Sequence, residues 1–358
     1  MLYLKNIELK NFRCHESFKI DLSKNINILI GKNATGKTSI LESIYYLCLC
    51  KSFKTSDDKS LIKKGEDYFS IKADLMENDK NYKIISCFFK DQGKKVNVND
   101  VIYKSLSKFY GLFNVVCFFP DDLKLIKGEP RLKRRFLDIY IGQSDKKYLK
   151  NLSDYNKILK ERNEILKKFD GFYNDEALLN IYTNQLVIIG KEIIRKRKEF
   201  LAELEPYVNN MIMKISSGQE KVSIIYNMNV EGEKFESEIK KTLNVDKTCK
   251  KTTVGPHKDD IVFDLNGLDA SVYASQGQQR TIALSLKLGL ANLIKDKKGK
   301  VLVLLDDVFG ELDYDRQAAV LMTVDKDTQV IITTTTLNNI KEEIYKQSNV
   351  ITLGEKVI

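Results

Sequence analysis

Asn25-Ile26-Asn27-Ile28-Leu29-Ile30 runs directly into Gly31-Lys32-Asn33-Ala34-Thr35-Gly36-Lys37-Thr38, after which apolar residues recur at Ile40, Leu41, Ile44, Tyr45 and Leu47. The pattern predicts a strand, a glycine-bounded loop and a helix over Ser39 to Leu49. Residues 31–38 match the phosphate-binding pattern G-x-x-x-x-G-K-S/T, in the strand–helix context that pattern requires. Gly31 and Gly36 let the backbone bend so that successive N–H groups face an anion. The helix start adds its positive end. Lys37 is a point charge for the β- and γ-phosphates, and Thr38 offers a hydroxyl to Mg²⁺. The expected cofactors are ATP and Mg²⁺. Gly31, Lys32, Asn33, Ala34, Thr35, Gly36, Lys37 and Thr38 are the expected phosphate cradle.

A second apolar run, Val301-Leu302-Val303-Leu304-Leu305, reads as a strand buried on both faces. It ends in Asp306-Asp307. Asp306 is the candidate Mg²⁺ ligand, directly or through water, and Asp307 the carboxylate that orients attacking water. Adjacent residues inside a regular strand point to opposite faces, so the chain must turn at the strand end for both to serve one site. The plain alternative is a strand capped by two solvated acids. Ser275-Gln276-Gly277-Gln278 lies upstream, before a helix over Gln279 to Lys295. Taken alone it is a Ser N-cap with a Gly turn. Flanked by the other two elements, it resembles the signature of ABC-type ATPases. By that resemblance Ser275, Gly277 and Gln278 face the nucleotide of a second protomer. Glu311-Leu312-Asp313 then falls at the D-loop. Asp307, where many such proteins carry Glu, suggests slow turnover.

The chain has 358 residues, enough for a large core and roughly two domains. Lys plus Arg is 59 and Asp plus Glu 49, a net +10. That excess suits a polyanionic partner, nucleic acid or an anionic membrane surface, or merely a Lys-rich solvated surface. The six Cys form no C-x-x-C, as expected of reduced, mostly buried thiols in a cytosolic protein. The two His, His15 and His257, sit in no metal-ligand constellation. No apolar run approaches the roughly 20 residues needed to span a bilayer. The opening residues read as a strand rather than a signal peptide. The expectation is a soluble, cytoplasmic protein without a membrane partner.

The predicted fold class is α/β: an ABC-type P-loop head with a mixed sheet and an inserted helical subdomain. Residues 1–120 plus 251–358 are assigned to the head and 121–250 to the insertion. The helix period dominates from Leu132 to Met213, with long helices over Lys147 to Phe169 and Glu176 to Leu204, turned at Phe169-Asp170-Gly171-Phe172. A packed subdomain is preferred over a projecting arm. Two basic clusters lie here: Arg131, Lys133, Arg134 and Arg135, and then Lys191, Arg195, Lys196, Arg197 and Lys198. Either can pair with DNA phosphates, and either can be a solvated helix face.

Further blocks carry a family resemblance. They are Lys5-Asn6-Ile7 through Asn11-Phe12-Arg13, Lys51-Ser52-Phe53-Lys54-Thr55, and Phe119-Pro120-Asp121-Asp122-Leu123 with Gly128-Glu129-Pro130. Arg134-Arg135-Phe136-Leu137-Asp138 and Gly255-Pro256-His257-Lys258-Asp259-Asp260 complete the set. In order and over nearly the whole chain, they resemble the RecF family of ABC/SMC-like ATPase heads. The resemblance implies an ATP-dependent homodimer, two heads closing around two ATP and Mg²⁺ on double-stranded DNA near single-strand/double-strand junctions. Each site would join Lys37, Thr38, Asp306 and Asp307 of one chain to Ser275 and Gly277 of the other, with Arg13 on phosphate. Weak ATP hydrolysis would open the clamp. Partners RecR and RecO would help place RecA at gaps, in DNA repair, replication and the SOS response. Two departures stand out. Thr334, Thr335 and Thr336 occupy the region of the switch His of transporter heads, and no Gln serves as a Q-loop near Phe119 to Asp122. A transporter ATPase subunit is disfavoured by the first and by the long helical insertion. A structural chromosome head is disfavoured by the short helical hairpin.

Overall fold

The computed structural model describes residues 1–169, 173–216, 218, 220–312, 316–317, 320, 327–338 and 340–354. In chain order the strands are β1 (Leu2–Phe12), β2 (His15–Asp21), β3 (Ile26–Ile30), β4 (Tyr68–Glu77), β5 (Lys80–Phe89), β6 (Gly93–Val98) and β7 (Val101–Ile102). They continue as β8 (Val115–Phe118), β9 (Val222–Asn227), β10 (Asp260–Leu265), β11 (Leu268–Asp269), β12 (Leu302–Asp306), β13 (Gln329–Thr334) and β14 (Asn349–Thr352). The helices are α1 (Lys37–Leu49), α2 (Leu106–Phe109), α3 (Lys124–Lys127), α4 (Pro130–Ser144) and α5 (Lys146–Lys168). Then follow α6 (Tyr173–Ile215), α7 (Phe235–Lys241), α8 (Leu243–Cys249), α9 (Ala270–Tyr273) and α10 (Gln276–Lys298). Asp170-Gly171-Phe172, the predicted turn, lies outside the described residues. The chain forms two compact units. The first is Met1–Asp122, Tyr207–Glu220 and Thr281–Ile358, and the second Leu123–Pro206 and Lys221–Arg280.

The first unit holds a five-stranded parallel sheet in the order β14-β3-β13-β12-β8. Its strands are short apolar runs: every residue of β8, β12 and β13 is buried. That is the composition expected of parallel strands covered on both faces. β13 lies between β3 and β12, so the ends of the phosphate-loop strand and the Asp306 strand flank the end of β13. A second, antiparallel sheet runs β2-β1-β4-β5-β6-β7.

One side chain ties the two sheets together. Gln329 opens β13 with no exposed surface. Its Oε1 accepts the N–H of Leu4 at 2.7 Å, and its Nε2 donates to Leu4 O at 2.9 Å and Ser23 O at 2.6 Å. The β1–β4 register slips between Leu4 and Asn6, at the same backbone. Gln329 satisfies the backbone N–H and C=O of Leu4 beside that slip.

Helix α1 is buried on nearly every side, including Glu42 and Ser43. The apolar spacing predicted the helix from Ile40, Leu41, Ile44, Tyr45 and Leu47 alone. A helix enclosed all round must satisfy its polar residues internally. α6 runs past the predicted Leu204 and through Pro206, which removes one helix donor. Val208, Met211, Ile212 and Ile215 continue the helical spacing and are all 4% exposed or less. Their burial outweighs the lost hydrogen bond. Gly289 of α10 allows the close approach of this segment: a Cβ there would lie 2.8 Å from Val208 N.

The second unit packs α4, α5 and the first part of α6 with the antiparallel sheet β11-β10-β9. Its interior is held by charge as well as apolar contact. Arg197 donates to Asp138 at 2.9 Å, to Pro256 O at 2.7 Å and to Asp259 at 3.3 Å. Arg162 pairs with Asp246 at 2.8 Å, both with no exposed side chain. Lys133 is buried against Asp260 and Ile261 O. Among the described residues no helix is long and apolar enough to cross a membrane.

Candidate nucleotide site

The parallel sheet ends in a cleft of about 280 Å³ lined by Cys14, Asn33, Ala34, Gly36, Lys37, Thr38, Ser39, Lys54, Asp306, Asp307 and Thr333. All belong to the first unit. A cleft at the carboxyl ends of parallel strands is the usual ligand position of open α/β sheets.

The loop takes its shape from two left-handed residues, Ala34 (φ 67°) and Gly36 (φ 91°). Gly36 begins α1, and its O faces His15 Nε2 at 3.2 Å. A Cβ on Gly36 would lie 2.4 Å from that nitrogen, so position 36 excludes a side chain on conformation and on space. Lys37 folds back on the loop, donating to Gly31 O at 2.5 Å and Lys32 O at 2.8 Å. Burial pushes its ammonium below its usual pKa, opposed by the carboxylates of Asp307 and Asp306.

Asp306 closes the far side. Its Oδ1 accepts from Thr38 Oγ1 at 3.0 Å and Thr333 Oγ1 at 2.7 Å. It is 5% exposed, and burial raises its pKa, with Thr333, Thr38 and Lys54 acting in the opposite direction. A buried carboxylate beside a hydroxyl is a hard-oxygen donor set short of positive charge, which suits Mg²⁺. Asp307 takes φ 51°, a conformation Asp tolerates better than most residues. Its N–H donates to Thr333 Oγ1 at 3.0 Å, and its exposed side chain joins Asp306 on the cleft. The turn demanded at the strand end is therefore present.

Lys54, Cys14, Ser39 and Thr333 were not singled out as site residues by the sequence. Lys54 comes from a turn built on Ser52, whose Oγ accepts the N–H groups of Lys54 at 2.9 Å and Thr55 at 3.1 Å. Ser52 in turn donates to Glu42. Arg13 grips the same carboxylate in a fork, Nε to Oε2 at 2.8 Å and Nη2 to Oε1 at 2.7 Å. Arg13 thus supports the cleft through α1, while its neighbour Cys14 lines it. The quoted block Lys51 to Thr55 was the available signal for Lys54; Thr333 had none, because its relevance depends on strand order.

Gly31 and Lys32 lend their carbonyls to Lys37, and Thr35 Oγ1 donates to Lys32 O at 2.9 Å. Ser275, Gly277 and Gln278 belong to the second unit, where α10 begins. Ser275 Oγ accepts the N–H of Gln278 at 3.2 Å, and Gln278 Oε1 accepts the N–H of Ser275 at 2.9 Å. This reciprocal capping box starts the helix and leaves Ser275 and Gly277 exposed. Asp313 lies outside the described residues. Thr334 is buried and donates to Thr336 O at 2.9 Å. Asp122, in the region without a Q-loop Gln, pairs with buried Lys287 at 2.9 Å.

The two basic clusters are largely spent inside the second unit. Lys133 and Arg197 are buried, Arg134 donates to Asp259 O at 2.5 Å, Lys196 pairs with Asp145, and Arg195 pairs with Glu192 and Glu199.

A phosphate loop and a strand-end carboxylate pair on a parallel sheet, beside an antiparallel sheet, define an ABC-type P-loop head of the SMC kind. The RecF/RecN/SMC N terminal domain profile matches residues 3–356. DNA replication and repair protein RecF of Bacillus cereus (strain AH820) is 39% identical over 362 residues, 98% of this chain and 96% of that protein. The RecF protein of Agathobacter rectalis is 41% identical over 352 residues, with the same coverages. The solved structure of the recombination mediator protein RecF with ATP, in the RecFOR pathway, superposes with a TM-score of 0.87. It is 35% identical and covers 94% of this chain and 92% of that one. A Pyrococcus furiosus Smc head, at TM-score 0.53, 17% identity and coverages of 95% and 93%, shares the fold. The chain belongs to the RecF family, as its sequence blocks suggested.

Proposed function

We propose that this protein is an ATP-dependent DNA-binding clamp of recombinational repair. The observation that carries the reading is the convergence of Lys37, Thr38, Asp306, Asp307 and Lys54 on one cleft, while Ser275 and Gly277 stand exposed at the start of α10. In the reading, Lys37 leaves the carbonyls of Gly31 and Lys32 for the β- and γ-phosphates. Thr38 and Asp306 hold Mg²⁺, which supplies charge neutralisation at the phosphate oxygens when bound. Asp307 orients the attacking water, and its short side chain makes hydrolysis slow. Ser275, Gly277 and Gln278 complete the cage on a second copy, so closure of the homodimer reports bound ATP.

The relatives' names supply the biological setting: DNA replication and repair, and the RecFOR pathway. The proposal extends to double-stranded DNA near gap junctions, to RecR with RecO, and to RecA loading, in the cytoplasm. Arg13 joins the phosphate contacts if it releases Glu42 on closure.

Sedimentation with ATP, with and without duplex DNA, tests this. Wild type should form ATP-dependent dimers. Lys37→Met should lose nucleotide binding and dimers together. Ser275→Arg should keep nucleotide binding and lose dimers. ATP-dependent dimers of the Ser275→Arg variant would refute the shared cage.

A further inference from the structure

The second unit contains a lysine groove that none of the sequence blocks marked. It has a volume of about 280 Å³ and is lined by Asn156, Leu159, Lys160, Asn163, Glu164, Lys167, Lys250 and Lys251. Four ammonium groups face one carboxylate. That carboxylate, Glu164, pairs with Lys167 at 2.8 Å. Lys160, Lys250 and Lys251 have no carboxylate within ion-pair distance among the described residues, and all three are exposed. Nearby Lys247 is already occupied by Glu176 at 3.2 Å and by the Phe169 ring.

Elsewhere in this unit Lys234, Lys240 and Lys241 are matched to glutamates one helical turn away. Lys133, Arg195, Lys196 and Arg197 of the predicted basic clusters are ion-paired as well. What sets Lys160, Lys250 and Lys251 apart is that two separate segments bring all three to the wall of one groove.

The groove is also held rigid from below. Arg162 on α5 and Asp246 on α8 form a fully buried pair. Asp246 further accepts the N–H of Thr253 at 2.8 Å and its hydroxyl at 2.6 Å. Thr252 gives its N–H and hydroxyl to Asn163 Oδ1 at 2.7 and 2.8 Å. Asn163 Oδ1 is thereby consumed inward, and its Nδ2 donors have no partner among the described residues. Lys250 caps α8 in the left-handed conformation (φ 54°), and Lys251 N–H returns to Asp246 O at 3.2 Å. The backbone positions of Lys250 and Lys251 are therefore held against α5 before any ligand arrives.

Unpaired ammonium groups on a fixed backbone, with an amide donor from Asn163 beside them, suit a row of phosphodiesters. We propose that Lys160, Lys250 and Lys251, with Asn163, form a contact for the backbone of duplex DNA on the second unit. Recognition there is sequence-blind to the extent that the lysine charges meet phosphates, which carry no base identity. The proposal rests on the DNA-binding reading above and deepens it by naming the residues.

The test is duplex binding by the full chain with ATP and Mg²⁺, followed by fluorescence anisotropy over a range of salt concentrations. The K160Q/K250Q/K251Q variant should bind at least about tenfold more weakly at 0.1 M salt. Its slope of log K against log salt should be shallower by about 2 to 3, the release expected from three phosphates. Nucleotide binding, ATP-dependent dimers and the melting temperature should match wild type. The K160R/K250R/K251R variant should bind like wild type, separating charge from shape. Unchanged affinity and slope in the Gln variant, with wild type binding duplex normally, overturns the groove alone. Wild type that binds no duplex in any nucleotide state overturns the functional reading and the groove with it. Preference of wild type for polyglutamate over duplex, lost in the Gln variant, assigns the groove to an acidic protein and overturns the DNA assignment.

Discussion

Thr38 Oγ1 and Asp306 Oδ1 meet at 3.0 Å although 268 positions separate them in the chain. This contact joins the phosphate loop to the end of β12 and makes one site of two motifs. Thr38→Ala removes a hydroxyl donor to a buried carboxylate and the hydroxyl offered to Mg²⁺. Nucleotide affinity measured by fluorescent-ATP titration should fall about tenfold or more with Mg²⁺ present, and change little in EDTA. Equal losses in both conditions would contradict the metal role of Thr38.

Lys54 is exposed on the cleft and helps hold Asp306 ionised. Lys54→Ala should weaken ATP binding by about 1 to 2 kcal/mol and ADP binding by less, because the extra phosphate charge is what a cleft cation feels most. Equal effects on the two nucleotides would remove Lys54 from the γ-phosphate side.

Gly36→Ala should destabilise the first unit by about 1 to 3 kcal/mol, since φ is 91° and the new Cβ would meet His15. Gly36→Ala combined with His15→Ala and Cys14→Ala removes both colliding side chains, the His15 ring and Cys14 Sγ at 2.8 Å, and leaves the backbone penalty. Thermal melts of the Gly36→Ala variant and of the combined variant, each against its own Gly36 parent, measure the two contributions. No recovery in the combined variant would show that the collision is relieved by movement elsewhere.

His257 is enclosed beside the Tyr155 hydroxyl at 2.8 Å and Thr252 O at 3.1 Å, and burial pulls its pKa down to about 4. The unfolded chain takes up this proton near pH 6.5 and the folded one only near pH 4. The contribution is therefore fully present above about pH 6.5 and is lost as pH falls toward 4, by about 3 kcal/mol in all. Urea midpoints at pH 7 and pH 5 should differ more for wild type than for His257→Gln. An identical pH dependence in both would refute the depressed pKa.

Much of the site was legible because its chemistry is local. A phosphate loop needs glycines, a lysine and a hydroxyl within eight residues, and that spacing survives any tertiary arrangement. The apolar runs that became β3 and β12 were equally plain, since parallel strands covered on both faces admit little polar alternation. Thr333 was illegible for the opposite reason. It matters because β13 inserts between β3 and β12, and strand order is a property of the sheet.

The amino-acid order by itself determined the phosphate loop, the carboxylate pair and the family to which they belong, because backbone geometry and charge at those positions are set by near neighbours. The tertiary structure alone decided which charges remain available. Lys133, Arg162 and Arg197 are drawn into the second unit by Asp260, Asp246 and Asp138, whereas Lys160, Lys250 and Lys251 are left facing solvent. A charge buried away from water must find its counter-charge, and only the packed chain fixes which carboxylates come within reach.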